Sequence, residues 1–134
     1  MARIMLSKTL MASAFVLGMA APALADSSSC SEPYPPAAID GNTVTYDQLK
    51  AAAHDANVFM KASDDYQSCL NSDYMAQAQA AAKNKDKDKR TLDPSIKTDV
   101  EAKIGSNQKE KEKVGTEFQA AVAAFKAKHP DQKM

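Results

Sequence analysis

From Tyr46 onward, apolar and small residues return every three or four positions. Leu49, Ala53, Ala56, Met60, Ser63, Tyr66 and Leu70 lie on one face of a helix, with Ala52 and Phe59 widening the stripe. A second series runs Ile96, Val100, Ile104, Asn107, Lys111, Val114, Phe118, Val122 and Phe125 at the same period. These stripes predict two long amphipathic helices, about 46–84 and 94–128. Thr45 with Gln48 fits a capping box at the first start. Asp93-Pro94 fits an N-cap and first helical residue at the second, and Pro130 stops the chain from continuing. The expected fold is all-α: an antiparallel two-helix hairpin, paired in coiled-coil fashion, spanning 46–129 with a tail at 130–134.

Folding the hairpin about residue 89 places Phe59 and Met60 near Phe118, Ala56 near Val122, and Ala53 near Phe125. Ser63 then faces Val114-Gly115, Tyr66 faces Lys111, and Leu70 faces Asn107. The open end is apolar and the middle is polar. Phe59, Tyr66, Asn107, Lys111 and Phe118 are the residues singled out for an interaction surface. A hairpin with exposed apolar surface also suits self-association into a four-helix bundle.

The residues before the helices read differently. Arg3 and Lys8 precede the 13-residue apolar run Thr9–Ala21, and Ala23-Leu24-Ala25 follows. This is the pattern of a signal peptide over 1–25. The run is shorter than the roughly 20 residues that a bilayer span needs; an uncleaved anchor is the alternative. Removing 25 residues from 134 leaves 109, with 15 basic and 17 acidic side chains. That balance lacks the basic excess of a nucleic-acid binder. The expected location is periplasmic or secreted, with no membrane span after cleavage.

Export changes the meaning of the two cysteines. In an oxidising compartment two thiols pair. Cys30 and Cys69 show no zinc-ligand spacing and no C-x-x-C motif. A Cys30–Cys69 disulfide is expected; free thiols and an intermolecular bridge are the alternatives. Residues 26–45 form a proline-rich strap and turn. At about 3.1 Å per residue the extended strap has the reach to return along the first helix to Cys69. Tyr34 and Ile39 would fill the groove, and Asn107 would bond to strap backbone. Asp40-Gly41 reads as a turn with a positive dihedral at the glycine.

Candidate chemistry is sparse. His54 and His129 lack partners at ligand spacing, so no metal or cofactor site is assigned; a joint His54–His129 metal site is the alternative. Asp64 and Asp65 are neighbours on a helix and point apart, unlike an acid–base pair. No phosphate loop or serine elbow is present. The chain reads as non-enzymatic. Lys83 to Arg90 carries five basic and two acidic residues. It reads as a solvated bend, with binding to anionic envelope polymers as its functional alternative.

Cys30, Pro33 and Pro36 form C-x-x-P-x-x-P. With Asp40-Gly41, Tyr66-x-x-Cys69-Leu70 and "FQAAVAAFK" (Phe118 to Lys126), the chain resembles a group of uncharacterised short exported alphaproteobacterial proteins. That resemblance implies a fold and a compartment, and no activity. "VTYDQ" (Val44 to Gln48) is also similar to the L-T-x-x-Q motif of periplasmic stress chaperones related to Spy. The functional expectation is an envelope protein-interaction or structural module acting on a protein partner or on itself. A Spy-like chaperone is the alternative, and a metal-binding protein stands behind both.

Overall fold

A computed structural model describes residues 29–132. The expected signal peptide and its cleavage site lie outside them. Helix α1 spans Tyr46–Ala82 and helix α2 spans Pro94–Lys128. A single 3-10 turn, Lys87–Lys89, sits in the bend between them. The helices pack antiparallel, with no strand among the described residues, and Cys30 is bonded to Cys69. No helix among these residues is long and apolar enough to cross a membrane.

The helix starts follow from local hydrogen bonding. Thr45 Oγ1 accepts from the Gln48 backbone N–H, and Gln48 Oε1 accepts from the Thr45 N–H at 2.8 Å. Two otherwise orphaned donors are thereby satisfied. At α2, the Asp93 carboxylate accepts from the Ser95 N–H at 2.9 Å. That bond holds the Asp93 carboxyl below its ordinary pKa. Pro94 lacks an N–H that would have gone unused in the first turn.

The core lies in the basal half of the hairpin. Phe59, Ala56 and Val114 form one buried cluster, with Met60 packed against it. Towards the open end Leu49, Ala121 and Phe125 are buried, and Phe125 lies between the rings of Tyr46 and His129. The register differs from the one obtained by folding about residue 89. Asn107 sits across from Ser63 and Gln67 rather than Leu70, and Lys111 pairs with Asp64 rather than facing Tyr66. Side-chain fit at the polar middle sets the register, and the midpoint of the bend does not.

Residues 30–39 lie along the groove between the helices. Cys30, Pro33, Pro36 and Ile39 are half-buried and the residues between them are exposed. This period of three is that of a polyproline II chain with one side against a surface. Tyr34 falls off that stripe and is 93% exposed, so it does not fill the groove as expected. Between Ile39, Ala52, Ala56, Val114 and Phe118 the remaining space is about 20 Å³, room for no more than a water.

The turn after the strap is held in two ways. Asp40 accepts from the Thr43 and Val44 N–H groups through its carbonyl, and from Asn42 through its carboxylate. The Asn42 bonds hold the Asp40 carboxyl below its ordinary pKa. Lys128 Nζ donates to the Asn42 carbonyl, joining the turn to the end of α2. Gly41 is required for a reason other than the expected dihedral. No glycine among the described residues has a positive φ. A Cβ on Gly41 would instead stand 1.9 Å from the Ala121 carbonyl oxygen. The turn lies directly on α2, which is also why Ala121 is buried while its larger neighbour Val122 is only half-covered.

Two glycine substitutions should therefore separate. Gly41→Ala must lift the turn off α2 and should cost about 2–3 kcal/mol in urea unfolding. Gly105→Ala meets nothing within 4 Å and removes a mid-helix glycine. It should stabilise by roughly 0.5–1 kcal/mol in the same assay.

Candidate functional site

Chemically distinctive groups gather at the middle of the hairpin, where the core gives way to polar residues. Ser63, Tyr66, Gln67, Cys69 and Asp73 lie along successive turns of α1. Asn107 and Lys111 come from α2. Ser63 and Asn107 are 0% and 1% exposed, which demands partners for both. Asn107 Nδ2 donates to Ser63 Oγ at 3.2 Å, and Gln67 Nε2 donates to Asn107 Oδ1 at 2.8 Å. The three side chains form one interhelical chain of bonds, and no buried side-chain N or O among the described residues is left without a partner. Asn107 does not reach for strap backbone as expected, because facing side chains use its amide.

Lys111 is ion-paired to Asp64 across the helices. Its own side chain is mostly covered while Asp64 is open to water. A pair with one solvated end contributes modestly. Asp65 points elsewhere and pairs with Lys61 one turn back at 2.8 Å, which raises the Lys61 pKa. The two neighbouring carboxylates thus serve separate lysines.

Of the residues singled out for an interaction surface, Phe59, Tyr66 and Asn107 are interior. Phe118 is half-buried beside the strap, and Lys111 belongs to the ion pair. The structure brings these five together as a seam between the helices. A partner would meet Phe59, Tyr66 or Asn107 only after the hairpin opened.

The cysteines do converge. Cys30 and Cys69 are disulfide-bonded, with their Cα atoms 5.7 Å apart. Asp73, one turn beyond Cys69, places Oδ2 3.4 Å from Cys30 Sγ. A disulfide sulfur carries no hydrogen, so this is a contact and not a hydrogen bond. The ligand-type atoms of Cys30, Cys69 and Asp73 all lie within 4.8 Å of one another. Spacing between the cysteines alone did not reveal this cluster. Its third member sits at i+4 from Cys69 and becomes relevant only once the strap delivers Cys30. His54 is exposed and His129 stacks on Phe125 with ring centroids 4.5 Å apart; neither belongs to a converging group of three ligands among the described residues.

Beyond this region the hairpin changes character. No residue of α1 after Leu70 is buried, and none of α2 before Asn107. Tyr74, Ile96, Val100 and Ile104 are half-covered and Met75 is 55% exposed. The Lys83 to Arg90 run lies exposed at the tip. Part of it is tied internally, through Lys89 with Asp86 and Arg90 Nε with the Asn84 carbonyl.

The chain matches no family model, no curated protein and no solved structure.

Two stability measurements test this region. Reduction of the Cys30–Cys69 bond opens a loop of about 40 residues, whose closure is worth on the order of 4 kcal/mol. The melting temperature should fall by more than about 10 °C on reduction; an unchanged melt would show that the bond does not hold the strap. Asn107→Ala should cost about 1–3 kcal/mol in chemical denaturation, because it strands Ser63 and Gln67. In a double-mutant cycle with Ser63→Ala the two losses should be strongly non-additive.

Proposed function

We propose that this chain is an exported, non-enzymatic helical module that works by protein contact along the distal arm of its hairpin. One observation carries the reading: the strap and core stop at Cys69 and Asn107, while both helices continue for several turns with no buried residue. A two-helix arm holding Tyr74, Ile96, Val100 and Ile104 half-covered leaves apolar area that a further helical layer would bury. Export is supported by the leader-like first 25 residues and by the disulfide. The similarity of "VTYDQ" to a chaperone motif lends the alternative little support, since Thr45 and Gln48 are engaged in the helix cap.

The test is capture of partners by the oxidised chain from envelope extract, with molecular mass in solution measured in parallel. The wild-type chain should retain a stoichiometric partner or a second copy. Val100→Glu with Ile104→Glu should abolish that complex at unchanged helicity. A complex that survives both substitutions would overturn the assignment to the distal arm. Capture of many unrelated unfolded proteins would replace it with the chaperone reading.

A further inference from the structure

We propose that the tip of the hairpin, Lys83 to Arg90, docks on the surface of an anionic phospholipid bilayer. Five basic and two acidic side chains stand here within eight residues, a net charge of +3. Every residue of the run is exposed. Asp86 is engaged inside the turn, where its carboxylate accepts from the Asp88 N–H at 3.2 Å and pairs with Lys89 at 3.7 Å. The next carboxylate along the chain, Asp93, is held by the Ser95 N–H at the start of α2. Lys83, Lys85 and Lys87 have no ion pair among the described residues. Their amines point to no carboxylate of the chain and stand in water at the far end of a rod about 55 Å long.

The overall charge of the chain conceals this patch. The acidic excess lies elsewhere: from Glu32 to Asp65 there are six acidic and two basic side chains. On α1 the nearest of these to the tip is Asp65, about 25 Å of helix before Ala82. That is about three screening lengths at physiological ionic strength. A charged surface therefore senses the tip as a separate cluster of cations and the base hardly at all. The residues also select the kind of surface. Four of the five cations are lysines, compact charges that need no fixed geometry, and Arg90 has its Nε on the Asn84 carbonyl at 3.1 Å. No aromatic residue lies between Tyr74 and Phe118, so the tip has no platform on which nucleic-acid bases would stack. No large apolar side chain is exposed in the bend, so nothing there enters the acyl layer. What remains is diffuse attraction between lysines and lipid phosphates, each cation contributing about fivefold in affinity. Docked in this way the rod stands on its tip, with the distal arm between the bilayer and the strapped base. The contact is separate from the arm surface proposed above.

The experiment is co-sedimentation of the exported form, residues 26–134, with vesicles. This form holds the whole described fold and lacks the apolar run that would itself enter lipid. It should bind vesicles of equal parts phosphatidylglycerol and phosphatidylcholine at about 20 mM salt and leave them at about 300 mM. Vesicles of phosphatidylcholine alone should retain none of it. Lys83→Gln, Lys85→Gln and Lys87→Gln together should weaken binding roughly a hundredfold, at an unchanged melting temperature. Lys50→Gln, Lys109→Gln and Lys126→Gln together alter the net charge equally at exposed lysines outside the tip; they should change binding by no more than about twofold. Equal losses in the two triple variants would show a response to overall charge and no site at the tip. Binding to neutral vesicles, or binding that salt does not move, would overturn the electrostatic contact. Retention on inorganic polyphosphate or duplex DNA with none on the anionic vesicles would replace the lipid surface with a polymer. No protein partner is present in this assay, so its failure and the failure of the distal-arm reading are distinguishable.

Discussion

The bond between Cys30 and Cys69 is the constraint on which the rest of the architecture leans. Two long helices in contact along a single line bury little, since each has most of its circumference in water. The strap supplies the missing third layer over Ala56, Phe59 and Val114. Yet it is an extended chain with three prolines and no hydrogen bond from residues 31–39 to the described structure. Its hold is a row of small apolar contacts, and against that stands the conformational freedom of some ten residues, each costing roughly 1–2 kcal/mol of backbone entropy to order. Apolar contacts of that size do not balance the cost by themselves. A covalent tie offsets a further part of it, on the order of 4 kcal/mol, by removing freedom from the unfolded chain beforehand.

At its other end the strap is fixed by shape. Gly41 rests on the Ala121 carbonyl at a distance no side chain permits. Lys128 closes over the turn through the Asn42 carbonyl. The strap is thus clamped at both ends, covalently at mid-hairpin and sterically near the open end. Between the clamps the period-three row from Cys30 to Ile39 makes the contact. The polar trio of Ser63, Gln67 and Asn107 sits beside the covalent clamp and fixes how α1 and α2 are aligned. A slip by one turn would strand a buried amide and a buried hydroxyl, which costs far more than the gain from regrouping a few alanines.

This division splits the molecule into a closed base and an open arm. The base has its core covered and its polar groups satisfied. The arm has amphipathic helices with nothing buried. Its continued helicity rests on high local propensity, notably the alanine and glutamine run from Ala76 to Ala82. Solvent-facing arms of this kind have little stability of their own and leave surface accessible, which is why contact with another protein is proposed there.

Much of this was legible in the residues themselves. Periods of three and four define the helices, and the caps at Thr45 and Asp93 depend on neighbours within four positions, so the local code suffices. The strap's inward row was also written, as C-x-x-P-x-x-P-x-x-I, once the three-residue turn of an extended chain is applied to it; Tyr34 drew attention by size and lay off that row. Register was not legible, because it is decided by which of several near-equivalent side-chain fits satisfies Asn107. Nor were the burial of Ala121, the true role of Gly41 or the approach of Asp73 to the cysteines. Each of these depends on residues distant in sequence meeting at short range, and no local pattern encodes a distance between them. The sequence by itself determined the helices, the strap and the pairing of its two sulfurs; tertiary structure alone decided where they touch, because contact geometry is a property of the packed whole.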